Sequence, residues 1–339
     1  MSEETIHVVV SVDVSNELLE QIRDVSDKLH VTKHYPKVPD RASSQTEILY
    51  TGNQFPEPEQ APMLRWIQLM SAGMKGALER HRIVQSEDVM ITSSSGIHAQ
   101  QMANYCIMML LAFHYQLPRL RQMQQAKEWR ENRYDIFAPK DLHQQTVGIV
   151  GYGSIGREVA RIAKTFGMNV LASKRDIRQP AENERDYTLE GIGDPSGELP
   201  ERLYPSEAIA AMASECDYLV LLVPMTDETH HMINERVLNA MKPNSVIINA
   251  ARGGVVDEKA MIRALQKKQI RGAALDVFEQ EPLPKNSPLW EMDNVILTPH
   301  ISGNSADYIE KSTKLFISNL KRYLNNRPLM NQLDRDSGY

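Results

Sequence analysis

Apolar residues in this chain fall into two rhythms. Short unbroken runs rich in Val, Ile and Leu predict buried strands at "HVVVSVD" (7–13), "TEILYTGN" (46–53), "WIQLMSA" (66–72) and "VMITSSSG" (89–96). Between the first two, "SNELLEQIRDVSDKL" (15–29) repeats its apolar positions at helical spacing after a Ser15 or Asn16 cap. "APMLR" (61–65) predicts a further short helix. This β-α-β alternation makes the first hundred or so residues an α/β unit of their own.

A helical tract follows, from about His98 to Arg130. Met102, Cys106, Met109, Leu110, Phe113, Leu117 and Leu120 cover more than one stripe of it, so it is expected to be buried on several sides. That burial can be inside its own chain, between domains or against a second subunit. From Thr146 the rhythm restarts with strand "TVGIV", helix "SIGREVARIAKTFG" and strand "NVLAS" (169–173). Residues 177–200 are polar, rich in glycine and proline, and predict a surface insertion without an element. Beyond them come helices in "PSEAIAAMASE", "INERVLNAM" and "DEKAMIRALQKK" and strands in "DYLVLLVP", "SVIINAA", "GAALDVF" and "NVILTPH". These strands are continuously apolar rather than alternating, which marks a parallel sheet covered on both faces. The amphipathic helix "SADYIEKSTKLFISNLKRYLNN" (305–326) is expected to return and cover the first unit.

Bulk properties narrow the function. At 339 residues the chain calls for two domains. A net charge of −6 argues against a nucleic-acid partner, and 42% hydrophobic with 24% charged residues is a soluble globular balance. The acidic start "MSEETIHVVV" lacks the pattern of a signal peptide, and "YCIMMLLAFHY" (105–115) is too short to span a bilayer. The two cysteines, Cys106 and Cys216, sit in apolar surroundings with no CxxC spacing, as buried thiols of a reducing compartment do. A cytoplasmic protein with no membrane partner and no metal site is expected.

"GYGSIG" places Gly151, Gly153 and Gly156 at GxGxxG spacing between a predicted strand and a predicted helix, the context that turns a weak motif into a dinucleotide site. The N–H groups of Ser154 and Ile155 would face the phosphates at the helix start. The next strand ends in Ser173, Lys174 and Arg175, where an NAD site usually has a carboxylate. An arginine fork with a lysine charge and a serine hydroxyl suits a ribose 2′-phosphate, so NADP is favoured over NAD. Asp176, two positions late, keeps NAD open.

Three residues with catalytic chemistry fall at strand ends: Arg252 in "INAARGGVVD", Glu281 in "LDVFEQEPLP" and His300 in "ILTPHISGNS". Ligands of open α/β sheets bind at such ends. Reduction of a 2-oxo acid needs a cation for the carboxylate, a proton donor for the developing alkoxide and a hydride source. Arg252 suits the first role and His300 the second, with Glu281 orienting His300 and favouring its imidazolium form.

With these residues in hand, the chain resembles the D-isomer-specific 2-hydroxyacid dehydrogenases. The resemblance rests on "TVGIVGYGSIGREVARIAKTFGMNV", "LLVPMTDETHHMIN", "MKPNSVIINAARGGVVDEKAMIRAL", "GAALDVFEQEPLPKNSPLW" and "NVILTPHISG", and more loosely on "WIQLMSAGMKG" and the chain ends. It implies a Rossmann-type cofactor domain (99–305) inserted in a flavodoxin-like substrate domain (1–98 plus 306–339), each an open parallel sheet. It implies the catalytic set Arg252, Glu281 and His300, main-chain binding of the substrate carboxylate at Ala72 and Gly73, and a nicotinamide contact at Asp276. Val223, Pro224, Thr229, Ala250 and Gly303 match cofactor-lining positions, alongside Arg252 and His300. A homodimer joined through the cofactor domains is also implied. Departures are the missing acid after the second strand, Asn104 where many members have Glu, and the longer 177–200 segment. Glu281, where formate dehydrogenases usually carry Gln, argues against that branch. The length disfavours a phosphoglycerate dehydrogenase with a regulatory domain. A glyoxylate- or hydroxypyruvate-reductase-like enzyme is the leading expectation. A dinucleotide-sensing corepressor of the same fold is the alternative, disfavoured by the short tail after Pro328.

Overall fold

The computed structural model describes residues 5–73, 77, 80–183 and 185–335. The chain divides into two compact units: Met1–Ile97 with Asn183–Thr188 and Ser305–Tyr339, and His98–Glu182 with Leu189–Asn304. Residues 183–188, which the sequence reading placed in the dinucleotide domain, group with the first unit.

The first unit holds a five-stranded parallel sheet in the order β2-β1-β3-β4-β5, with β1 Ile6–Ser11, β2 Leu29–Lys33, β3 Ile48–Thr51, β4 Trp66–Leu69 and β5 Met90–Thr92. Ser15 accepts the Leu18 N–H and caps α1, Asn16–Arg23. The expected helix is shorter than its periodic pattern, because residues 24–28 turn and "LHVTK" forms the missed strand β2. Residues 61–65 are not helical; a 3₁₀ turn, Pro58–Gln60, precedes them. The helix Tyr308–Leu324 covers this sheet, with Phe316 and Leu320 fully buried in the same cluster as Val8, Ile48, Tyr50 and Trp66.

The second unit holds a seven-stranded sheet, all of its pairs parallel, in the order β12-β11-β10-β9-β6-β7-β8. Its strands are β6 Thr146–Val150, β7 Asn169–Ser173, β8 Arg202–Tyr204, β9 Tyr218–Leu221, β10 Val246–Asn249, β11 Gly272–Leu275 and β12 Val295–Leu297. Apolar clusters line both faces, which is why these strands read as unbroken apolar runs. The chain order reverses beside β6, where β7 and β9 flank it, and a dinucleotide binds at such a reversal.

Two expectations for this unit need correction. The tract 98–130 is two helices, Ala99–His114 and Leu117–Ala126, broken where Gln116 takes a left-handed conformation (φ 54°) just before Pro118. The first packs Ala103, Cys106, Met109, Leu110 and Phe113 onto its own unit's sheet. The described residues of 177–200 carry no strand or helix, but they are not simply a surface insertion: Asp194 is buried among them, and the missed strand β8 follows directly. Cys106 and Cys216 are free and buried, and burial pushes both thiols up to about 12.

Candidate active site

The glycine loop joins β6 to the helix Ser154–Thr165. Gly151 has φ +104°, and a Cβ there would lie 2.9 Å from the Leu222 carbonyl carbon, so the turn requires glycine. At Gly156 a Cβ would sit 2.3 Å from the Gly151 carbonyl oxygen; this glycine lets the helix close onto the strand. Gly153 differs, since nothing lies within 4 Å of a Cβ built there. Packing does not demand that glycine, whereas close approach of a pyrophosphate does. The loop therefore fits a dinucleotide, with Ser154 and Ile155 opening the helix behind it.

At the end of β7, Ser173 is buried and its carbonyl accepts the N–H groups of Gly151 and Tyr152, at 3.2 and 3.1 Å. The Lys174 ammonium donates to the carbonyls of Gln179 and Ala181. Asp176 accepts from the Arg178 backbone N–H and from Arg178 Nε, each at 3.0 Å, and these bonds hold its carboxyl below the ordinary value. Arg175 follows Lys174 on the same turn.

After β9, Val223 and Pro224 enter a turn closed by Thr229, whose hydroxyl donates to the Pro224 carbonyl at 2.6 Å and accepts the Thr226 N–H at 2.8 Å. Ala250 is buried at the end of β10. Arg252 follows, exposed, its Nη1 donating to the Ala251 carbonyl at 2.7 Å. A Cβ on Gly253 would lie 1.9 Å from the Phe278 carbonyl carbon, so the Arg252 loop lies directly against the loop after β11. On that second loop the Phe278 N–H donates to Glu281 Oε1 at 3.1 Å. Glu281 Oε2 lies 2.8 Å from His300 Nδ1. The carboxylate accepts, so Nδ1 carries the proton of this hydrogen bond. The structure thus brings Glu281 and His300 together, with the Arg252 loop packed against the loop that carries Glu281.

His300 stands in a left-handed conformation, φ 55°, which costs a non-glycine residue roughly 1–2 kcal/mol. Asp276 holds it there. Its carbonyl accepts the His300 N–H at 2.8 Å. Its carboxylate accepts from the Thr298 hydroxyl at 2.6 Å, the Ile301 N–H at 2.9 Å and the Ser302 N–H at 2.8 Å. Burial pushes this carboxyl up, but the hydrogen bonds from Ser302, Thr298 and Ile301 outweigh it and keep it below the ordinary value. Tyr105 extends the network from the long helix, with its hydroxyl 2.7 Å from Thr298 Oγ1. The sequence reading named Asp276 only as a nicotinamide contact and missed both its hub role and Tyr105. Gly303 ends the loop, its carbonyl 2.9 Å from His98 Nδ1. Ala72 and Gly73 lie after β4 in the first unit, where the Ser71 hydroxyl donates to the Gly73 carbonyl at 3.0 Å.

Residues 107–302 match the sequence family described as "D-isomer specific 2-hydroxyacid dehydrogenase, NAD binding domain". The chain belongs to that family. As a member of the D-isomer-specific 2-hydroxyacid dehydrogenases it is an NAD(P)-dependent oxidoreductase acting on a CH–OH group. A glyoxylate reductase from Thermococcus gammatolerans is 36% identical over 241 residues, covering 70% of this chain and 67% of that protein. A glyoxylate/hydroxypyruvate reductase B from Enterobacter sp. is 39% identical over 200 residues, 59% of this chain and 57% of that one. Among solved structures, a D-isomer specific 2-hydroxyacid dehydrogenase from Xanthobacter autotrophicus, in complex with NADPH and MES, superposes with a TM-score of 0.79 at 25% identity, covering 99% of this chain and all of that one. Among the described residues, no helix is long and apolar enough to cross a membrane, and no group of three or more His, Cys, Asp or Glu side chains could hold a metal ion.

Proposed function

We propose that the chain reduces a small 2-oxo acid to the 2-hydroxy acid, glyoxylate to glycolate or hydroxypyruvate to D-glycerate, with NADPH as the preferred donor. The observation that carries the chemistry is the His300–Glu281 pair at 2.8 Å, on the loops after β12 and β11. The reduced dinucleotide, when bound, supplies a hydride to C2 of the substrate. His300 gives its proton to the oxygen of the developing alkoxide, and Glu281 holds the ring by Nδ1 throughout. Arg252 grips the substrate carboxylate and polarises the C2 carbonyl, and main chain at Ala72 and Gly73 is proposed to assist in carboxylate binding. Gly151, Gly153, Ser154, Ile155 and Gly156 receive the pyrophosphate. Val223, Pro224, Thr229, Ala250, Asp276 and Gly303 line the cofactor. The named substrates are those of the two relatives above, and the NADPH preference draws support from Ser173, Lys174 and Arg175 and from the NADPH complex of the structural neighbour.

A homodimer joined through the second unit is part of this proposal. It draws on the exposed apolar residues Met108, Leu117 and Leu120 on the two helices that follow His98, and Tyr115 in the turn between them. A cytoplasmic setting accords with the two free thiols.

The test is a screen of NADPH and NADH oxidation against glyoxylate, hydroxypyruvate, pyruvate and branched 2-oxo acids. Turnover of glyoxylate or hydroxypyruvate with NADPH supports the proposal. Binding of dinucleotide without turnover of any acid would instead favour a sensor of the same fold.

A further inference from the structure

Two buried charged residues stand directly behind the glycine loop, and both bind the irregular segment that follows β7. Arg157 is 2% exposed; its Nη1 donates to the Asp194 carbonyl and its Nη2 to the Pro180 carbonyl, each at 2.5 Å. Glu158 is 1% exposed and accepts the Gly193 N–H at 2.8 Å. Tyr152, the residue between Gly151 and Gly153, donates its hydroxyl to Asp194 Oδ2 at 2.5 Å and lies under the Arg157 guanidinium, 4.7 Å from it. The Asp194 carboxylate also accepts the N–H groups of Gly197, Glu198 and Leu199. At the other end, the Lys174 ammonium closes the turn onto Gln179 and Ala181, one residue either side of the carbonyl that Arg157 holds.

Burying an arginine and two carboxylates is costly unless their donors and acceptors are matched. A loop that merely bridges two elements has no need of them. What this network fixes is the course of main chain from Lys174 to Glu182, and Arg175 lies on it.

We propose that residues 174–182 and 189–200 form a cofactor-preference element. Tyr152, Asp194, Arg157 and Lys174 act as positioning residues that hold Arg175 where a ribose 2′-phosphate is recognised. Lys174 acts through the turn it closes rather than by touching the phosphate. The proposal rests on the reading of Arg175 as the 2′-phosphate ligand.

The test uses cofactor fragments, so that binding is read apart from catalysis. The full chain and its Tyr152→Phe and Lys174→Met variants are titrated calorimetrically with adenosine 2′,5′-bisphosphate and with AMP. These substitutions are milder than any at buried Arg157 or Asp194, and melting curves confirm folding. The parent is expected to prefer the bisphosphate. Each variant should lose about fivefold of that preference, the worth of one hydrogen bond, with AMP affinity unchanged. The double variant should lose less than the product of the two, because both act through one segment. Unchanged preference in both variants overturns the element while leaving Arg175 its own role. An equal loss of AMP overturns it as well, since that is a general structural effect. Fully multiplicative losses overturn the positioning role of Lys174. A parent that binds the two fragments equally overturns this proposal and the NADPH preference together.

Discussion

Gly153→Ala separates a glycine required by the fold from one required by the ligand. The backbone at Gly153 is extended, with φ −90° and ψ −164°, which alanine adopts without strain. No atom lies within 4 Å of the added Cβ. The folded protein should therefore be unharmed, and restricting the unfolded chain should stabilise it by about 0.4–1 kcal/mol. A pyrophosphate drawn close to that backbone meets the new methyl group instead. Losing one hydrogen bond to a charged group costs roughly 1.5–3 kcal/mol, or about ten- to hundredfold in Kd. Gly156→Ala is the contrast, because its Cβ would lie 2.3 Å from the Gly151 carbonyl oxygen and the helix would have to move. Calorimetric melting without ligand, paired with fluorescence titration of NADPH, reads both effects. A Gly153→Ala protein that binds NADPH like the parent, or melts well below it, refutes the assignment of this loop to the pyrophosphate.

Arg175→Ala should raise KM for NADPH about ten- to hundredfold and leave KM for NADH nearly unchanged, since only the 2′-phosphate loses a charge-assisted fork; equal effects on both reject the assignment. Asp276 and Asp194 both sit below the ordinary carboxylate value in the folded chain. As pH falls below about 4, the unfolded state binds protons first, so the stability these groups contribute above that pH is progressively lost as pH drops through their folded values. Melting temperature against pH should fall less steeply there for Asp194→Asn than for the parent; parallel curves would show that Asp194 contributes nothing to this acid sensitivity. Leu117→Glu, at an exposed position, should shift the proposed dimer toward monomer in light scattering without lowering the melting temperature of the monomer.

The strands around the glycine loop were legible because buried parallel strands are written as unbroken apolar runs, and "TVGIV" and "SVIINAA" are such runs. Arg252, Glu281 and His300 could be proposed from the sequence because a strand end is a local feature and their chemistry is distinctive. The structure then supplied the His300–Glu281 contact, which joins residues 19 apart in sequence. Strand β8, only three residues long, lacks a periodic signature. The break at Gln116 was readable in principle from "QLPRL", since Pro118 favours a helix start, but the apolar pattern runs through it. Arg157, Glu158 and Asp194 were missed for a different reason. Their partners are main-chain groups of a segment with no pattern of its own, so nothing in the spacing announces them. The pair "RE" directly after the third glycine, in a helix that otherwise buries Val159, Ala160 and Ala163, is the one local hint.

In the proposed reaction His300, held by Glu281, delivers the proton in carbonyl reduction. Steady-state and single-turnover kinetics of His300→Ala with NADPH and glyoxylate test it most directly, together with NADPH affinity measured by fluorescence. The kcat should fall by about 10²–10⁴-fold, the usual contribution of a positioned acid–base group, while NADPH still binds. Turnover close to that of the parent would contradict it.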